Sequence, residues 1–233
     1  MTVSYEQAKR LLSELTQTPL LHSSDTHIVL CPSFPALSLF SDLARESNVA
    51  LGAQDCSPFS NGPYTGDVDA LSLKQIGCTY CIVGHSERRR IYKESPELVA
   101  QKVAQLQLNQ IIPIVCIGES AEEKETGTTI SVLQKQLLPV LTVSAGTQGA
   151  LIIAYEPVWA IGSGKQPSIE ELAEIVRAIK TFSATILSTP ITVLYGGSVT
   201  AETIGQIKKA PDIEGVLIGS ASTDFHSLQK IVS

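Results

Sequence analysis

The sequence predicts an α/β fold in one domain, a parallel sheet covered by helices, and three observations lead there. Short apolar runs rich in β-branched residues alternate with helical patterns from end to end. One run, "LIIA" at 151–154, has no polar face, and the helical stretch after it carries Leu172, Ile175, Val176 and Ile179 as a single stripe. A strand apolar on both faces, flanked by one-sided helices, belongs in a parallel sheet buried beneath them. Nearly every run also ends in a polar or glycine-bearing tail, and these tails are spread over the whole chain. A doubly wound sheet concentrates function at its switch point, whereas a closed β/α barrel gathers it from every strand end. The pattern leans to the barrel and leaves the doubly wound sheet as the alternative.

The first element is a helix. Ser4 precedes "YEQAKRLLSELTQ" with Gln7 three positions on, a capping box, and Leu11, Leu12 and Leu15 supply its apolar side. A strand in "HIVLCPS" follows, then a helix in "PALSLFSDLARES" with Leu37, Phe40 and Leu43 at helical spacing. The alternation continues through "NVALGAQDC" and "DALSLKQIG", "YCIVGHS" and "PELVAQKVAQLQLNQ", and "IIPIVCIGES" and a helical region from near Glu122. It ends with "ALIIAYEP" and "IEELAEIVRAIKTF", "ITVLYGG" and "AETIGQIKKA", and "GVLIGS" and "DFHSLQKIV", so seven strands follow one leading helix.

A chain of 233 residues with 43% hydrophobic content fills a large core, and no linker or composition shift divides it, which predicts a single domain over 1–233. A net charge of -6 argues against a nucleic-acid partner but leaves room for a small anion held by backbone N–H groups. Five cysteines, an odd number, and no export signal at the start predict a cytoplasmic protein. No apolar run approaches the ~20 residues of a membrane span, so no membrane partner is expected. Cys78 and Cys81 form a CxxC without a second pair and run into "YCIV", where residues three apart point to opposite faces. With Cys31 and Cys116 they read as core residues, and no metal site is expected.

Glu156 directly follows "ALIIAY", at the place where a parallel sheet presents functional side chains, and Pro157 keeps it extended. Val158 and Trp159 are candidates to roof over the carboxylate and raise its proton affinity, as a general base requires. A solvated acid at a helix cap is the alternative. Gly162 and Gly164 flank the end of an apolar "VWAI", a segment built to close. A nucleotide-binding loop at "GSGKQ" fails on spacing and on Gln166, which stands where a metal-binding serine or threonine belongs. His85 in "IVGHSERRR" lies just beyond another strand, where a helix N-terminus favours a neutral ring that donates to an oxyanion; a structural histidine is the other reading. Glu87 is placed to orient a cation or to pair with Arg88 or Arg89, and His22, His27 and His226 have no comparable setting. "YGGSV" at 195–199 and "LIGSAS" at 217–222 offer small residues for a phosphate, though a glycine pair also makes a plain tight turn.

Together "GAQDCSPFSNGPYTGDVDA", "CTYCIVGHSERR", "IVCIGES", "AYEPVWAIGSGK", "YGGSV" and "VLIGSAS" resemble the triosephosphate isomerase family, in family order from about residue 27 to residue 222. The resemblance implies a TIM (β/α)8 barrel, and the interconversion of dihydroxyacetone phosphate and glyceraldehyde 3-phosphate through an enediolate, with no cofactor. It implies Glu156 as base, His85 as the imidazole that polarises the carbonyl, and residues 157 to about 165 as a closing loop. Phosphate contacts would come from Gly162, Ser198, Gly219 and Ser220, the last standing where the family usually has a second glycine. Glu119 would be a supporting acid, and Thr65 would reach across the interface of a homodimer. The family opens with a strand ending in "NWK", whose asparagine and lysine enter the site; this sequence has no such motif, and its seven strands match the family's second to eighth. The expectation is an N-terminally incomplete barrel of impaired activity, with a catalytically silent phosphate-binding barrel as the alternative and a different phosphosugar enzyme as the third.

Overall fold

The computed structural model describes residues 3–18, 26–147 and 149–232. Seven parallel strands lie in chain order: β1 (Val29–Leu30), β2 (Ala50–Ala53), β3 (Tyr80–Val83), β4 (Ile112–Ile117), β5 (Ile152–Tyr155), β6 (Thr192–Tyr195) and β7 (Gly215–Val216). The helices are α1 (Tyr5–Leu15), α2 (Leu37–Glu46), α3 (Ala70–Ile76), α4 (Ser86–Ile91), α5 (Pro96–Leu108), α6 (Ala121–Glu125), α7 (Thr129–Ser144), α8 (Ile169–Ala184), α9 (Ile204–Ile207) and α10 (Phe225–Val232). The strand order never reverses, which removes the switch point that a doubly wound sheet requires. The sheet curls as a (β/α)8 barrel does, with seven of its eight strands. Among the described residues nothing pairs with the outer edges of β1 and β7.

Strand periodicity sorts the core into two layers. Ile114 and Cys116 of β4 join Ile82 and Ala154 inside the curl, while Val115 and Ile117 pack with the helices. The register aligns Ile82 with Ile114 and Cys116 with Ala154, so the inner side chains stack in layers. Capping boxes at Ser4/Gln7 and Ser168/Glu171 start α1 and α8.

Several elements are shorter than their sequence patterns. "HIVLCPS" yields only Val29–Leu30, and the helical region near Glu122 splits into α6 and α7. The hydroxyls of Thr126 and Thr128 donate back to the carbonyls of Glu122 and Glu123, which ends α6. Likewise Thr203 Oγ1 accepts the Thr200 N–H, and "AETIGQIKKA" is left with the single turn of α9. Cys56, Cys78, Cys81 and Cys116 are buried free thiols, and Cys31, half-buried, packs against the inner core layer. His22 lies outside the described residues.

Candidate active site

Glu156 is the first residue beyond β5. Its N–H donates to the Ile117 carbonyl at 2.7 Å, and its side chain is 2% exposed. The walls around it are glycines: a Cβ on Gly118 would strike the Glu156 carbonyl, and one on Gly196 would stand 2.8 Å from Glu156 Cγ. These tails of β4 and β6, with Cys116 beneath, supply the cover that sequence assigned to Val158 and Trp159. Trp159 turns away and donates its indole N–H to Glu119 Oε1 at 2.7 Å. Burial pushes the Glu156 carboxyl above its ordinary range, against the opposing effects of His85, the Ser86 amide and the Cys116 thiol. A carboxylate made more basic by desolvation suits proton abstraction near neutral pH.

His85 reaches this carboxylate from the tail of β3, across the end of β4. Gly84 sets its course with φ +68°, a left-handed angle at a point where a Cβ would also meet Arg89 Nη2 at 2.8 Å. Arg89 then locks the tail by donating to the carbonyls of Gly84 and Cys116 at 2.8 and 3.0 Å. His85 caps α4: its Nδ1 accepts the Glu87 N–H at 3.3 Å, and its Nε2 stands 3.2 Å from Glu156 Oε1. A ring nitrogen that accepts an amide hydrogen carries no proton, so this network assigns His85 as the neutral tautomer with its hydrogen on Nε2, facing Glu156. The Ser86 N–H holds the other carboxylate oxygen at 3.0 Å.

The glycine-rich tails lie beside this pair. The Gly196 N–H donates to Tyr155 and the Leu217 N–H to Tyr195, which sets the tails of β6 and β7 next to that of β5. Gly219 leads into a 3-10 turn, Ser220–Thr223, and Ser220 is absent from the residues with positive φ, so its side chain brings no backbone strain. Ser198 ties down the segment after Glu156 on both sides: its Oγ donates to the Ala160 carbonyl at 2.6 Å, and its own carbonyl accepts from Gln166 at 2.7 Å. Residues 161–165 project into solvent, with Gly162 at φ +66° and no atom within 4 Å of a Cβ built there.

The sequence candidates thus divide. Glu156 and His85 meet, with Gly196 against the carboxylate, and Glu119 is buried behind them, accepting from Tyr155 and Trp159. Gly162 stays outside the pocket in this conformation, and Thr65 is exposed in the loop between β2 and α3. Glu87 does not pair with Arg88 or Arg89; its backbone N–H bonds His85 Nδ1, and its carboxylate, 69% exposed, stands 3.8 Å from the same nitrogen. Arg88 instead joins Asp55, Glu94 and Lys102 in an ion cluster whose contacts run from 2.6 to 2.9 Å. Sequence reasoning missed Ser86, Cys116 and Lys102. Only Lys102 left a signal, a lysine set between Val99 and Leu106 on an otherwise apolar stripe. A concavity of about 550 Å³ lies elsewhere, beside the N-terminal end of β4; its lining, which includes Gln107, Leu108, Ile111 and Val143, has no titratable side chain. Among the described residues no group of three or more His, Cys, Asp or Glu is arranged to hold a metal, and no helix is long and apolar enough to cross a membrane.

The sequence that builds this site matches a known family along its whole length. The family model described as triosephosphate isomerase matches residues 1–233. The chain belongs to the triosephosphate isomerase family. It is 38% identical over 232 residues to the triosephosphate isomerase of Moorella thermoacetica, covering 98% of this chain and 92% of that one. The triosephosphate isomerase of Bordetella pertussis is 40% identical over 193 residues, 83% of this chain and 78% of its own length. That of Mycoplasmopsis pulmonis is 36% identical over 238 residues, covering 100% and 94%.

Proposed function

We propose that this chain is a triosephosphate isomerase that interconverts dihydroxyacetone phosphate and D-glyceraldehyde 3-phosphate without a cofactor. The observation that carries this is the meeting of a buried, more basic Glu156 carboxylate with a neutral His85 at 3.2 Å. This pairing of carboxylate base and neutral imidazole is already known for triosephosphate isomerases. Substrate entering the pocket takes the His85 Nε2–H for its carbonyl oxygen and leaves Glu156 facing the neighbouring carbon. Glu156 removes a proton from C1 of the ketose, and the electron pair moves into the C1–C2 bond. His85 stabilises the charge that develops on the C2 oxygen. The proton of the C1 hydroxyl passes to the C2 oxygen by way of His85; return of the proton from Glu156 to C2 then leaves the C1 oxygen as a carbonyl and gives the aldose, so the proton count closes.

The phosphate is held by main-chain N–H groups at Gly162, Ser198, Gly219 and Ser220, with Gly162 arriving as residues 157–165 fold over the pocket. That closure keeps water from the enediolate. Glu119 supports the root of the segment through Trp159. The same reading makes the protein a single domain that works in the cytoplasm as a homodimer, with Thr65 directed at the neighbouring subunit's site. The stacked, exposed Phe59 and Tyr64, 4.2 Å between ring centroids, favour a covered surface there.

The test is turnover of dihydroxyacetone phosphate by this chain, and by a version extended with a strand ending in Asn-Trp-Lys, each against a Glu156→Gln control. Turnover that falls about a hundredfold to ten-thousandfold in the control supports the assignment. If neither version exceeds its control, the assignment fails; phosphate binding without turnover points to a silent barrel.

A further inference from the structure

Lys124 of α6 sits where no catalytic role reaches it, yet it touches both ends of the segment that follows Glu156. Its Nζ lies 3.8 Å from the centroid of the Trp159 ring and 3.4 Å from Glu171 Oε1 in the first turn of α8. The two partners differ in freedom. Glu171 is fixed to the barrel wall, because its carboxylate also accepts the Ser168 N–H at 2.9 Å within the capping box of α8. Trp159 lies at the root of the projecting unit, where its indole N–H also donates to Glu119: the Ile161 N–H bonds to Val158, that of Ser163 to Ala160, and that of Lys165 to Ser163 Oγ. These bonds link Ile161, Ser163 and Lys165 back toward the turn Val158–Ala160 that holds the tryptophan, so descent of the tip pulls on Trp159.

We propose that Lys124 is a positioning residue, a latch that holds this segment in its open position by bridging Trp159 to the wall. The latch presupposes the lid over a phosphate site proposed above. A contact shifts an equilibrium only by the amount it differs between the two states, and this one is made with the tip in solvent. Removing it therefore favours closure, tightens the hold on phosphate and slows release.

Trp159 is the only tryptophan in the chain, so its emission reports the surroundings of that one ring, where Lys124 and Glu119 both touch it. The experiment titrates inorganic phosphate into the full-length chain and follows Trp159 fluorescence, with Lys124→Met, Lys124→Arg and Glu171→Gln beside the parent. Lys124→Met keeps the stem and removes the charge, and Glu171→Gln keeps a capping-box side chain while losing the ion pair. Lys124→Met is expected to bind phosphate about three- to tenfold more tightly, the range for a part-buried cation over an indole together with an exposed pair. KM for the triose phosphate should fall with it, and kcat should fall or stay level. Glu171→Gln should shift in the same direction by less, and Lys124→Arg should match the parent. Weaker or unchanged phosphate binding in a Lys124→Met protein that melts as the parent does overturns the latch. Absence of any phosphate response in the parent overturns the lid, and the latch with it.

Discussion

Glu156 is buried at some cost to folding. Its proton affinity in the folded chain is raised, chiefly by desolvation, so its contribution favours folding below the ordinary value of 4.5 and is lost as pH climbs through the raised one. Glu156→Gln removes the charge without changing the shape. The variant is expected to melt at or above the parent temperature at about pH 8 and to lose that advantage toward about pH 4, while its isomerase activity collapses. Melts across this range check the sign: a variant less stable at high pH would mean that the carboxylate is held by net attraction. The acid was legible in sequence because it breaks an apolar run at the end of a strand. Its cover was not legible, because Gly118 and Gly196 come from neighbouring strands and only the register brings them together.

At the scale of elements, α4 and α5 are joined to the tail of β2 by Asp55, Arg88, Glu94 and Lys102. Lys102 is 2% exposed and contacts both carboxylates. Two acids and two bases cancel, and Glu94 Oε2 remains buried without a partner. Taking away one cation leaves unpaired negative charge in a low-dielectric interior, so Lys102→Met should cost about 3–5 kcal/mol in denaturant unfolding. A cost under about 1 kcal/mol would show that water reaches the cluster. Because His85 is the N-cap of α4, the cluster also sets where the imidazole stands. Little of this was visible in one dimension. "PELVAQKVAQLQL" reads as a helix whichever way Lys102 points, and its burial depends on Asp55, 47 residues earlier. Helix starts were far more legible, since capping boxes at Ser4 and Ser168 are local chemistry.

For the whole molecule, the alternation of strand and helix gave the order of the sheet, and strand lengths escaped it because pairing across strands decides where a ladder ends. β1 and β7 keep two residues each and are half-buried, whereas β3, β4 and β5 are buried along nearly their full length. Amide hydrogen exchange should follow that gradient, fastest at Leu30 and Val216 and slowest at Val115 and Ile153. Uniform protection across the sheet would mean that the outer edges are covered in solution. The loop with Phe59 and Tyr64 makes a second prediction at this scale. Sedimentation of the parent should give a dimer, and replacing both aromatics with serine should give a monomer of unchanged helix content. A parent that sediments as a monomer would remove the homodimer from the functional reading.

The glycines beside Glu156 bear on what such a scaffold can become. Where two sides of a cavity are lined by hydrogen atoms instead of side chains, no single replacement can reshape them without pushing on main chain or on the reactive acid itself. Efforts to retune this protein for bulkier sugars must therefore work from the rim, at Ser220 and along 161–165, and leave the floor as it is.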